Sequence, residues 1–228
     1  FIFESPEDGF FEDNNGTPTD LGNVWIGYSP AVTRLNTDFS ATSLTVNTGD
    51  SFYARGYEVT VTTYITINGR YDTLDDKEGD GTITTLGTDW TVGPTAIFNA
   101  ANSTTTFSGT GASTINTGGT NADHDFYNLS FEKSSKATAT LSSYPLKVSN
   151  NLTIGANSAL DVSASNYAVN AAGDWRNAGV YWPRQGTTTF DAISAGKAID
   201  PGASPFYNVD FNSGSGGWTI IANATTTN

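Results

Sequence analysis

The chain has 228 residues, ten Lys and Arg against 23 Asp and Glu, a formal net charge of −13, and neither Cys nor Met. So few cations, scattered along the chain, argue against a nucleic-acid partner, because phosphate binding needs clustered positive charge. They argue equally against an anionic membrane surface, and no apolar stretch approaches the roughly 18 residues of a membrane span. Thr and Ser supply 56 residues and Gly 24. That composition suits many short strands with frequent tight turns, since β-branched Thr favours the pleated backbone. No stretch sustains a helical apolar period. The Thr/Gly/Asn-rich, Cys-free profile reads as an extracellular or cell-surface protein. A first residue that is Phe suggests processing or a fragment.

Residues 1–22 read as an extended acidic arm whose apolar strand, Phe1-Ile2-Phe3, can be donated to a neighbouring molecule. The apolar run Phe1-Ile2-Phe3 precedes Glu4, Glu7, Asp8, Glu12 and Asp13, with Pro and Gly interspersed. Residues 23–56 read as a diverged β segment with strands at Val24-Trp25-Ile26 and Ser43–Val46. Residues 57–131 form the first clear β unit, with period-two alternation in Val59-Thr60-Val61 and Tyr64-Ile65-Thr66-Ile67. Residues 132–211 form a second unit, whose pulses Leu146-Lys147-Val148, Leu152-Thr153-Ile154, Leu160-Asp161-Val162 and Tyr167-Ala168-Val169 follow one another closely. Residues 212–228 begin a third unit at Trp218-Thr219-Ile220-Ile221 and stop partway through it.

The two full units are copies. Tyr64–Ile67 answers Asn151–Ile154 at an offset of 87, and Trp90 answers Trp175 at 85. Thr104–Phe107 answers Thr187–Phe190 at 83, and Phe126–Phe131 answers Phe206–Phe211 at 80. Shrinking offsets are what duplication followed by loop trimming leaves behind. A repeat that conserves strands and carries no catalytic group points to a stacked scaffold. The short strand pulses predict an all-β solenoid; tandem β-sandwich domains with donor-strand exchange are the alternative.

Asn151-Leu152-Thr153-Ile154-Gly155-Ala156, Gly173-Asp174-Trp175-Arg176-Asn177, Thr187–Phe190 and Phe206–Val209 resemble repeats of bacterial surface proteins of the adhesin and filamentous-haemagglutinin kind. The resemblance covers about residues 57–221 and implies a right-handed parallel β-helix with a surface, adhesive or fibre-forming role and no catalytic residues.

Candidate chemistry is sparse. Asp76, Glu78 and Asp80, with Gly81 and Ile83 following, are spaced like a calcium loop, with Asp72 and Asp75 as substitutes for the absent Glu at the twelfth position; a solvated acidic turn is the competing reading. The single histidine, in Asp123-His124-Asp125, reads as a surface loop. Of five glycosylation sequons, Asn15, Asn102 and Asn223 are the candidate acceptors, whereas Asn128 lies inside a repeated strand and suits a hydrogen-bonded ladder. Trp90 and Trp175 occupy equivalent positions and read as core; Trp182 is the tryptophan to examine for exposure. The expected function is a structural, non-enzymatic filament subunit that assembles with itself head to tail, through contacts of Phe1, Ile2 and Phe3 with Trp218 and Ile220. An adhesin or glycan-binding module is the alternative.

Overall fold

The computed structural model describes residues 2–3, 8–74 and 81–227. Its strands wind in coils of three. The first coil contributes β1 (Ile2–Phe3) and β2 (Asp8–Phe11), the second β3 (Asn23–Ile26), β4 (Val32–Leu35) and β5 (Phe39–Ala41), the third β6 (Ser43–Val46), β7 (Ser51–Tyr53) and β8 (Val59–Val61). The fourth holds β9 (Ile65–Ile67), β10 (Arg70–Asp72) and β11 (Ile83–Leu86), and the fifth β12 (Trp90–Val92), β13 (Ile97–Asn99) and β14 (Thr104–Phe107). The sixth has β15 (Ser113–Asn116), a 3-10 turn at Ala122–His124, and β16 (Asn128–Phe131). Then come β17 (Ala137–Ser143), β18 (Leu146–Val148) and β19 (Leu152–Ile154); β20 (Ser158–Asp161), β21 (Val169–Ala171) and β22 (Trp175–Asn177); and β23 (Val180–Trp182), β24 (Thr187–Phe190) and β25 (Lys197–Asp200). The last coil carries β26 (Asn208–Phe211) and β27 (Trp218–Ile220).

Every strand begins one side of a coil, and like sides stack. The first side is a nine-stranded sheet from β1 to β23, and the third a nine-stranded sheet from β5 to β27. The second side is split into a five-stranded sheet, β2 to β13, and a four-stranded sheet, β18 to β26. Neighbouring strands are parallel throughout, from Ile2 opposite Trp25 to Lys197 opposite Trp218. The protein is therefore a parallel β-solenoid of about ten coils. The β-sandwich alternative fails here, since sandwiches are built from antiparallel hairpins and Greek keys.

Alternation decides what lies inside. Ile65 and Ile67 are buried on either side of Thr66, and Val59 and Val61 on either side of Thr60. The outward residues stack as threonine ladders: Thr66 sits between Thr45 and Thr91, and Thr85 between Thr60 and Thr106. Aromatic rings run through the lower coils in edge or tilted contact, Phe3–Phe11–Phe39–Phe52–Tyr71, at centroid separations of 5.3–5.8 Å. Such pairs add about 0.5–1.5 kcal/mol each beyond the area they bury.

The N-terminal segment differs from an extended arm. Ile2–Phe3 pairs with Trp25–Ile26, and Asp8–Phe11 pairs with Val32–Leu35. Phe3 and Phe11 pack against the common core. The run of acidic residues concealed the alternation that puts these two rings on one face.

The duplicated units do not land on the same sides. Trp90 stands on the first side and its counterpart Trp175 on the third; Thr104–Phe107 lies on the third and Thr187–Phe190 on the second. Phe126-to-Phe131 and Phe206-to-Phe211 shift in the same sense, since β16 belongs to the third side and β26 to the second. The copy lies three coils and two sides further along, so it is rotated about the axis by one side. Its packing survives the rotation. Trp90–Phe98 (4.7 Å, 71°) matches Trp175–Tyr181 (4.9 Å, 71°), and Phe98–Phe126 (5.6 Å, 61°) matches Tyr181–Phe206 (6.0 Å, 61°). Stacked Phe107–Phe131 (5.3 Å) matches stacked Phe190–Phe211 (5.4 Å). Corners are copied too. Asp89 Oδ1 accepts the Thr114 N–H at 2.7 Å and Asp174 Oδ1 the Ala198 N–H at 2.9 Å. A Cβ at Gly87 would lie 1.9 Å from the Thr62 carbonyl oxygen, and one at Gly173 2.5 Å from that of Asn150. Glycine is needed at both because the preceding coil's backbone passes within contact distance.

Candidate functional site

Two places stand out: the break in the second side and the last coil. At the break, the Ala122–His124 turn replaces a strand, and one bridge, Phe126 with Val148, joins the turn region to the coil above. His124 is buried, with 3 % of its surface exposed, which corrects its reading as a surface loop. Its Nδ1 pairs with the Asn121 side chain and its Nε2 lies 3.3 Å from the Gly93 carbonyl oxygen. Gly118 and Gly119 leave room for the ring, since a Cβ on either would fall within 2.8 Å of it. The imidazole is thus occupied in holding the turn. Asp125 is buried beside Lys147, whose Nζ lies 2.8 Å from its Oδ2; burial nevertheless pushes the Asp125 carboxyl above its ordinary range. A hollow of about 220 Å³ opens there between Asn99, Ala101, Asp125 and Tyr127.

Asp72 lies on the same side, at the end of β10. Its carboxylate is already engaged by Arg70 Nη2 at 2.5 Å, Asn99 Nδ2 at 3.0 Å and the Leu74 N–H at 3.2 Å. Those contacts take three of the carboxylate's roughly four lone-pair positions. Asp75, Asp76, Glu78 and Asp80 lie outside the described residues. Among the described residues no group of three acidic or histidine side chains converges to hold a metal.

Of the glycan candidates, Asn15, Asn102 and Asn223 are all exposed. Asn15 belongs to an Asx turn: Asp13 accepts the Asn15 N–H at 2.9 Å and the Thr19 N–H at 2.7 Å, and these bonds hold the Asp13 carboxyl below its ordinary range. Asn128 forms a ladder, accepting from Asn150 Nδ2 at 2.9 Å and donating to Thr104 Oγ1 at 3.3 Å. Trp90 and Trp175 are buried, whereas Trp182 is 42 % exposed on the first side. It flanks a groove of about 340 Å³ floored by Ala156, Ala159, Ala178 and Gly179 and bounded opposite by Lys136. Arg184 lies over its ring at 5.7 Å while its Nη2 donates to Asp161 at 2.7 Å.

The last coil shows core residues to solvent. Phe211 and Ile220 are 49 % and 50 % exposed, and their equivalents one coil earlier, Phe190 and Ile199, are buried. An apolar hollow of about 190 Å³ lies among Phe190, Phe206, Val209, Phe211 and Ile220. Trp218 packs on Phe211 at 5.2 Å. β26 and β27 are the end strands of their sheets, and among the described residues no further strand pairs with their outer sides. At the other end, β1 and β2 stand in the same position. Trp218 and Ile220 thus meet an apolar end surface, to which Phe206, Val209 and Phe211 also contribute. Those three escaped the sequence reading although the repeat carries the signal, since their counterparts are core positions. Phe1 lies outside the described residues. The distance that separates the two ends of one molecule keeps Ile2 and Phe3 from Trp218 and Ile220 within the same chain.

Comparison with known proteins adds no relative: no family model, no curated protein and no solved structure matches this chain.

Proposed function

We propose that this chain is an extracellular structural protein, the subunit of a surface filament in which solenoids assemble head to tail by adding strands at their ends. The observation that carries this reading is the last coil, where half-exposed Phe211 and Ile220 sit on two strands that no further strand of the described residues pairs. Uncovered core and open edges together favour pairing with another chain. The two end surfaces differ, so the contact is heterologous and propagates instead of closing. All strands being parallel gives the solenoid a direction, and a second copy continues the ladders only when it points the same way. The N-terminal strand need not leave its own fold to do this: β1 pairs with β3 on one side, and among the described residues no strand pairs with its other side.

Sedimentation velocity over a range of concentrations tests it. The wild-type chain is expected to form polymers, and Phe211→Asp, at an exposed position, to remain a single chain with an unchanged circular dichroism spectrum. A wild-type protein that stays a single species throughout contradicts the reading. A second reading, glycan binding, is favoured by the groove beside Trp182, where an exposed ring adjoins the polar groups of Lys136 and Asn157. Loss of glycan-array signal in Trp182→Ala would support it.

A further inference from the structure

The internal duplication carries information about what covers the last coil. β16 and β26 are the same strand in the two copies, Asn128–Phe131 and Asn208–Phe211. In the first copy β16 is covered: Leu129, Ser130 and Phe131 pair with Leu152, Thr153 and Ile154 of β19. The approach to that covering strand is also copied. Phe126 donates to the Lys147 carbonyl at 3.0 Å, and Ser149 donates back to Phe126 at 2.8 Å. Phe206 donates to Thr225 at 2.8 Å, and Thr227 donates back to Phe206 at 3.0 Å. The bridge Phe126–Val148 has its twin in Phe206–Thr226. Thr225–Thr227 is therefore the structural counterpart of Lys147–Ser149, and the position over β26 is the counterpart of the one β19 fills.

We infer that in the assembly this position is filled by β1 of a second copy, with β2 of that copy over β27. This rests on the head-to-tail reading proposed above and adds to it the rotational alignment and the register. Three alignments about the axis preserve side-on-side stacking. Each end of a coil is a ramp that rises by one strand spacing per turn, about 4.8 Å. Thr226 is the topmost paired residue at one end, on the first side above Phe206, and β1 is the lowest strand at the other. The ramps close flush only if β1 follows Thr226, which sets it on the second side, over β26. The neighbour is then rotated by one side. The duplication shows that these sequences tolerate such a rotation, since Trp90 and Trp175 make matching contacts on different sides.

The pleat allows Phe3 to stand over Val209 or Phe211, and alignment of strand ends selects Phe211: Phe131 and Ile154, the last residues of β16 and β19, stand opposite each other, and Phe3 stands opposite Ile26, the last residue of β3. Phe3 points inward, meeting Phe11 at 5.8 Å, and Ile2 points outward. On β26, Phe211 lies above inward Phe190, and Asp210 points outward. Phe3 therefore stacks on Phe211 and Ile2 stands opposite Asp210. On the adjoining side, Phe10 of β2, 61 % exposed, stands opposite Thr219 of β27, outward beside Ile220.

Disulfide trapping between separate chains tests this cleanly, because the protein has no cysteine of its own. Ile2→Cys, Phe10→Cys, Asp210→Cys and Thr219→Cys all alter exposed positions. Opposed residues on adjacent strands lie about 4.8 Å apart, within the Cα range a disulfide spans. Mixing Ile2→Cys with Asp210→Cys, or Phe10→Cys with Thr219→Cys, and oxidising should give a main band at twice the 24.0 kDa chain mass. Ile2→Cys with Thr219→Cys should not. Should polymers form while that last mixture gives the main band, or while none does, the alignment is wrong and the filament stands. Should no polymer form in wild type or variants, the filament reading fails and the alignment with it.

Discussion

The two copies of the repeated unit share their rings, their corner aspartates and their glycines, yet they differ in what lies above them. Phe131 is buried beneath Ile154, and its counterpart Phe211 is half exposed. Local sequence therefore sets the strand and its inward residues, while burial depends on the next coil. A solenoid is stabilised by neighbours in this one-dimensional way, so its last coil has a core that is only half built.

The comparison can be broken most severely at the paired tryptophans. Trp90→Ala and Trp175→Ala remove equally buried rings from matching clusters. Each should destabilise the chain by about 3–5 kcal/mol, measured by urea denaturation. Similar losses would show that the sides are interchangeable; a loss confined to one copy would show that they are not. The exposed counterpart gives the next largest contrast. Phe131→Ala should cost about 3–4 kcal/mol, whereas Phe211→Ala in the unassembled chain should cost roughly 1 kcal/mol, in proportion to the area it buries.

A smaller effect follows from the corner aspartate. The Ala198 N–H, with Arg176 assisting, holds the Asp174 carboxyl below its ordinary range. A depressed carboxylate contributes stability above its unfolded pKa and loses it as pH falls through the folded value. Asp174→Asn should therefore cost about 1 kcal/mol at pH 7, and the gap between variant and wild type should close below pH 3.8, the ordinary value for this carboxyl. Smallest on stability, and visible only in assembly, is salt. A chain of net charge −13 repels its copies, and screening weakens that repulsion over about 8–10 Å at 0.1–0.15 M ionic strength. Light scattering should show polymerisation rising with sodium chloride.

Much of this architecture was legible in the sequence. Val59-Thr60-Val61 and Leu152-Thr153-Ile154 alternate so cleanly that strand and inward face follow directly, and the offset phrases marked a stacked fold. The rotation of the copies by one side was not legible, because short pulses do not reveal how many strands close a coil. The pairing of β1 within its own fold, and β2 altogether, were obscured by the acidic residues around Phe3 and Phe11. The reading of His124 as a surface loop fails because its burial depends on Gly93 of the preceding coil and on Gly118 and Gly119 folding back over the ring. The uncovered coil was readable only through the repeat, which marks Phe211 as a residue whose twin is core.

Electron microscopy of the purified assembly, with helical reconstruction, tests the central claim most directly. About ten coils per chain at a strand spacing near 4.8 Å predict filaments one solenoid wide with an axial rise of about 50 Å per subunit. Isolated single solenoids at every concentration, or polymers whose subunits lie side by side, would contradict it.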